Sequence, residues 1–156
     1  MCIGDEHMED NLCIGIDPGK KGALSLLWGN AIEIYPFDPH EYIRVLRASL
    51  SCEGVKCCIE DVHALRGNGI TSSFVFGKNY GWILGVLDSI GIPYQAVSVQ
   101  KWKKEFGLTS DKAKSIEVCH RLFPNADLKR TERCKKDDDN MAEALLMAEY
   151  CRRVMK

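Results

Sequence analysis

The chain has 156 residues, 46% hydrophobic and 28% charged, with a formal net charge of −1. That length fits one domain able to bury roughly two-thirds of its unfolded surface, and the composition excludes a disordered or fibrous chain. No apolar run approaches the roughly 20 residues of a membrane span and no secretory signal precedes the first apolar segment, so a soluble, intracellular protein is expected.

Residues 1–10 (MCIGDEHMED) are polar and patternless and are expected to form a flexible N-terminal tail; residues 11–156 form the domain. Leu12–Ile16 is short and apolar, a buried strand stopped by Asp17-Pro18-Gly19. Ala23–Trp28 makes a second strand, Gly29-Asn30 a hairpin turn, and Ala31–Phe37 a third strand. Pro39 opens a helix from about His40 to Leu50, with Tyr42, Ile43, Leu46 and Leu50 on its apolar stripe. Val55–Ile59 is another buried strand, ending at Glu60-Asp61. After the glycine-rich loop Arg66-Gly67-Asn68-Gly69, Ser72 or Ser73 caps a helix that runs to about Ile90 and is closed by Gly91. Residues 92–97 give a fifth strand. Helices follow around 99–106 and 111–122, with Gly107 and Pro124 as stops, and a last helix starts near Asp138. The order β-β-β-α-β-α-β-α-α-α predicts an α/β domain, a mixed five-stranded sheet flanked by helices.

The eight cysteines contain no C-x-x-C pair, and several sit in apolar stretches, as reduced structural thiols do. A zinc site from Cys57, Cys58 and His63 is disfavoured because adjacent strand residues point to opposite faces.

The acidic residues carry more information. Asp17 and Glu60 each end an apolar strand, where a carboxylate either sits at the rim of the sheet or faces a cation. Asp139 and Glu143 are four apart, one turn along a single helical face. Like charges there repel unless a cation lies between them, although acids in a first helical turn also complement the helix dipole. Carboxylates from two strand ends and one helix start are the ligands that hard Mg²⁺ or Mn²⁺ prefers. A pair of such ions suits phosphodiester hydrolysis.

The ordered set Ile14-Gly15-Ile16-Asp17-Pro18-Gly19, Ile59-Glu60 and Asp139-Asn140-Met141-Ala142-Glu143-Ala144-Leu145-Leu146 resembles the RuvC-like Holliday-junction resolvases. The segments Phe76 to Gly81, Val97 to Lys103 and Arg121 to Pro124 resemble the compact phage, bacterial and organellar branch. The resemblance spans about residues 12–150. It implies a ribonuclease H-like fold, a homodimer, and paired symmetric nicks in a four-way DNA junction. It also implies a catalytic and metal-binding set of Asp17, Glu60, Asp139 and Glu143, served by Mg²⁺, with Mn²⁺ able to substitute and no small-molecule cofactor. Many members have Asp where this chain has Glu143, and the paired residue falls at Asp139 or Asn140. Asp139 is preferred because a carboxylate holds a divalent ion better than an amide; Asp138 is the reserve.

Charge is segregated. Residues 1–100 carry 7 basic and 12 acidic side chains, residues 101–136 carry 11 and 5, and the last twenty carry 3 and 5. The basic segment includes Lys101, Lys103, Lys104, Lys112 and Lys114, in a region that faces DNA in the family; the alternative is a solvated helix face. Phe74, Phe76, Lys78, Asn79 and Tyr80 open the long helix and are candidates to enter a junction, the aromatics otherwise packing into the core. Trp82, Leu84 and Val86 fit helix core or a dimer surface. Two other readings are an RNA-processing nuclease of the same fold and a non-catalytic junction-binding protein. An actin-like ATPase needs a duplicated domain, for which the chain is too short.

Overall fold

A computed structural model describes residues 11–63 and 67–155; the expected N-terminal tail lies outside the described residues. The meander forms β1 (Cys13–Asp17), β2 (Ala23–Trp28) and β3 (Ala31–Pro36), followed by α1 (Pro39–Ser49) and β4 (Lys56–Glu60). Next come α2 (Ile70–Ile90), β5 (Tyr94–Val97), α3 (Val99–Glu105), α4 (Lys112–Leu122) and α5 (Asp139–Val154). The sheet order is β3-β2-β1-β4-β5. β2 runs antiparallel to β1 and β3, whereas β1, β4 and β5 are mutually parallel. The C-terminal ends of the three parallel strands therefore share one rim.

Strand alternation decides what that rim displays. Ile14, Ile16, Leu24, Cys57 and Ile59 pack into a core with Tyr42, Val45 and Leu46 of α1 and Ile83 and Leu87 of α2. Cys13, Ala23, Leu27 and Cys58 face the other way, into a core built on α5, with Trp102 and Cys119 from α3 and α4. Cys57 and Cys58 thus belong to opposite faces, and the seven cysteines described are free. Two residues beyond Gly15 and Cys58, which pair across β1 and β4, come Asp17 and Glu60. Both acids are consequently on the α5 face, at neighbouring strand ends.

Helix boundaries follow local chemistry. Asp38 caps α1 by accepting from the Glu41 amide at 2.9 Å, with Pro39 in the first turn. Its buried stripe is Tyr42, Val45, Leu46 and Ser49, one step round from the expected one, and Leu50 at the C-cap is exposed. α2 begins before either serine, at Gly69, with no side-chain cap. It closes as expected at Gly91, which is left-handed at φ 84° and donates to Leu87 O. Only Ile83 and Leu87 of this 21-residue helix are fully buried, and Ile70, Phe74, Val75 and Phe76 are exposed. α5 is the reverse: every residue from Met141 to Cys151 is buried, because it lies between the sheet and α4. Among the described residues no helix is long and apolar enough to cross a membrane.

Candidate active site

Three carboxylates converge at the rim. Oxygen atoms of Asp17, Glu60 and Glu143 all lie within 4.8 Å of one another, one each from β1, β4 and α5. α5 reaches them because β1 has a glycine beneath it. A Cβ at Gly15 would stand 2.1 Å from Ala148 N and 2.2 Å from Ala144 O, so the helix backbone rests directly on the strand. Glu143, one residue before Ala144, is thereby brought over the strand end that carries Asp17.

The cluster is buried as well as acidic. Asp17 is 7% exposed and Glu143 8%. Asp17 Oδ2 has no hydrogen-bond partner. Burial first, and then the charges of Glu60, Glu143 and Asp139, hold the Asp17 carboxyl well above the usual range, while Lys112 acts weakly the other way. Glu60 is also raised by burial; the Trp102 indole N–H, which donates to Glu60 Oε2 at 2.9 Å, offsets part of that rise. A buried carboxylate with an unsatisfied oxygen, clustered with two further carboxylates, is costly without a cation. The all-oxygen donor set fits a hard divalent ion, and Asp17, Glu60 and Glu143 are the residues that would hold it.

Lysines partly offset this charge. Lys103 Nζ is 3.0 Å from Glu143 Oε1, and Ser115 Oγ of α4 donates to the same oxygen at 3.2 Å. Lys112 Nζ is 2.9 Å from Asp139 Oδ2. Asp139 therefore stands one turn along α5 from Glu143, held by Lys112 and outside the tight cluster of three. Asp138 caps α5 by accepting from the Met141 amide and pairs with Arg130 Nε at 3.0 Å. Arg130 in turn donates to the carbonyls of Lys21 and Gly22 in the β1–β2 turn, which ties that turn to the start of α5.

The residues considered for DNA contact are distributed around this rim. Lys103 is half-buried against the acids, whereas Lys101, Lys104, Lys112 and Lys114 are exposed along α3 and α4. The ring edge of Phe76 closes over Gly19, just beyond Asp17. Tyr80 donates to Asp61 Oδ1 at 3.4 Å, Lys78 is exposed and Asn79 half-buried. An open groove lined by Glu60, Asn68, Ser72, Phe76 and Tyr80 runs from the acids along the start of α2. Sequence reasoning does not reach the roles of Trp102, Ser115 and Arg130. Trp102 lies inside the segment Val97 to Lys103, but its indole partner is 42 residues away, a pairing that only the folded chain makes.

No protein-family model and no curated protein matches this sequence. Solved structures do. The chain is similar to the Thermus thermophilus RuvC structure, with 17% identity and a TM-score of 0.55 over 92% of this chain and 96% of that one. It is similar also to T. thermophilus RuvC in complex with Holliday junction substrate, at 17% identity and a TM-score of 0.58 over 91% and 95%. The protein has the ribonuclease H-like fold of RuvC, with its buried acids at the C-terminal rim of the parallel strands.

Proposed function

We propose that this protein is a divalent-metal-dependent, structure-selective endonuclease that cuts four-way DNA junctions. The observation that carries the reading is the buried cluster of Asp17, Glu60 and Glu143, in which one Asp17 oxygen is buried without a hydrogen-bond partner. Mg²⁺, or Mn²⁺ in its place, would supply activation of water and neutralisation of charge at the scissile phosphate. The chain's own residues set the rest. Asp17, Glu60 and Glu143 bind, with Asp139 as the fourth ligand once its carboxylate leaves Lys112. Trp102 fixes the orientation of Glu60. Lys103, Lys112 and Ser115 hold the acids in place and offer positive charge to a strand laid across them, and Lys101, Lys104 and Lys114 extend that surface.

Two symmetric nicks require two such sites, which a homodimer supplies. The exposed apolar start of α2 (Ile70, Phe74, Val75) is the described surface best suited to another molecule. Phe76, Lys78, Asn79 and Tyr80 border the groove that leads from there to the acids, where a displaced strand or a junction centre would lie.

The decisive test is cleavage of a synthetic four-way junction with Mg²⁺, Mn²⁺ or EDTA, beside linear duplex and an RNA–DNA hybrid. Paired metal-dependent nicks confined to the junction are expected. Cutting of the hybrid instead would move the protein to the RNA-processing nucleases, and tight binding without cutting would make it a junction-binding protein.

A finer prediction concerns Trp102. Trp102→Phe keeps the ring but removes the N–H that holds down the Glu60 pKa, so Glu60 should stay protonated to higher pH. The acidic limb of the pH–rate profile should move upward, and more Mg²⁺ should be needed for half-maximal cutting. An unchanged profile in a folded variant would leave Trp102 as packing alone.

A further inference from the structure

The α3 lysines flank the acid cluster on the β4–β5 side, since α3 follows β5 and reaches Glu60 and Glu143 through Trp102 and Lys103. The opposite flank is also basic. Between Leu128 and Asp138 the chain forms a loop closed at its base by the Asp138 amide donating to Leu128 O at 2.8 Å. A turn within it is fixed by Cys134 N to Thr131 O at 2.9 Å. Arg130 fastens this loop to the β1–β2 turn through the Lys21 and Gly22 carbonyls, and to Asp138 at the start of α5. The loop and the turn therefore form one edge beside Asp17.

That edge exposes Lys20 and Lys21 from the turn and Lys129, Arg133, Lys135 and Lys136 from the loop. Among the described residues none of the six pairs with a carboxylate. Glu132 is the only acid in the loop from 129 to 136. Such a concentration of unpaired cations at the border of a carboxylate cluster opposes the local negative field and suits a polyanion that must approach it. A loop pinned at three places presents these charges with less conformational freedom to lose than a free tail would.

We infer that the loop of residues 129–136 and the turn at Lys20-Lys21 form a second phosphate-gripping rim, which holds the duplex arm on the β1–β2 side of the cut strand. This rests on the nuclease reading. The rim touches phosphates and carries no base information. With the α3 lysines on the other flank, a duplex arm is gripped on either side of the acids.

The test uses the full chain with the substitutions Arg133→Glu, Lys135→Glu and Lys136→Glu together, and separately the same three positions changed to Gln. None of these side chains makes a hydrogen bond or ion pair among the described residues, and thermal melting checks that both variants fold. Binding to the four-way junction is measured in EDTA across a salt series, and cutting is measured with Mg²⁺. A phosphate rim predicts weaker binding at low salt and a log K against log salt slope shallower by about 0.9 for each phosphate no longer neutralised, up to roughly 3 for the triple change. The Gln set should show the same slope change with a smaller loss of affinity than the Glu set. If the wild type binds and cuts but both variants keep its slope, the rim is overturned and the nuclease reading stands. If the variants lose the slope while the wild type never cuts, the rim stands as a nucleic-acid surface and the nuclease reading falls. A wild type that binds no DNA overturns both.

Discussion

Asp17→Asn is expected to abolish metal-dependent cutting while making the metal-free protein more stable. Asp17 sits at the centre of the acid cluster, buried, with one oxygen unpartnered and two carboxylates beside it. Its pKa is raised by desolvation first and by Glu60, Glu143 and Asp139 next. A carboxyl whose pKa is higher folded than unfolded binds more protons in the folded state between those two values. The contribution to stability is thus complete below the ordinary carboxylate range. It is lost as pH rises through the raised value, at about 1.4 kcal/mol for each unit of elevation. Neutral pH lies above the ordinary carboxylate range, so the wild type carries the cost built up between that range and pH 7, and Asn removes it. In EDTA the variant should therefore melt several degrees higher, at roughly 2–4 °C per kcal/mol for a domain of this size. Its melting temperature should also vary less with pH. Mg²⁺ should raise the melting temperature of the wild type and leave the variant nearly unmoved, since a ligand stabilises only the state that binds it. Cutting should fall by at least about 10²–10³-fold, the scale on which loss of one preorganised electrostatic group slows a reaction. Junction binding in EDTA should be close to normal. A variant that is less stable than wild type in EDTA would mean that Asp17 is held by the fold for structural reasons.

That trade between stability and chemistry also shows which parts of this protein are legible in its sequence. Element order, sheet composition and the two strand-end acids are readable, because strand alternation and short apolar runs are local signals. Glu143 is readable as a candidate by its spacing from Asp139, but spacing cannot say which of the two enters the cluster. That depends on the rotation of α5 against β1, which places Glu143 over Asp17 and leaves Asp139 beside Lys112. The start of α2 is misread from sequence because the real cap is Gly69, which offers no side-chain bond, while Ser72 and Ser73 resemble caps and lie inside the helix. Lysines that read as one phosphate-facing group separate in the fold. Lys103 is an internal counter-ion of Glu143, whereas Lys101 and Lys104, two positions or fewer away, are exposed. Arg130 does not stand out within a basic run, since its partners are the carbonyls of Lys21 and Gly22, more than a hundred residues earlier.

Gly15→Ala should be among the most damaging single-methyl changes in this chain. The added Cβ would lie 2.1 Å from Ala148 N, 2.2 Å from Ala144 O and 2.7 Å from Met147 C. All three are backbone atoms of α5, so no side-chain rotation relieves the clash; the helix must lift from the strand. α5 packs on β1, β2 and β4 and is buried from Met141 to Cys151, so lifting it loosens the whole core on that face. Overpacking a rigid core commonly costs about 1–3 kcal/mol, and a clash against helix backbone belongs at or above the upper end. A loss of about 3 kcal/mol or more is expected in urea denaturation, with a fall in melting temperature of roughly 6–12 °C. The site should suffer beyond the stability loss, because displacing α5 carries Glu143 away from Asp17. At a temperature where the variant is fully folded, it should therefore need more Mg²⁺ for half-maximal cutting. Adding Ala144→Gly separates the two causes. The clash is with the Ala144 carbonyl and the Ala148 amide, not with either methyl group, so shrinking that side chain should rescue neither stability nor the Mg²⁺ requirement. Recovery of both in the double variant would show that side-chain packing, and not the close approach of strand and helix backbones, sets the position of Glu143.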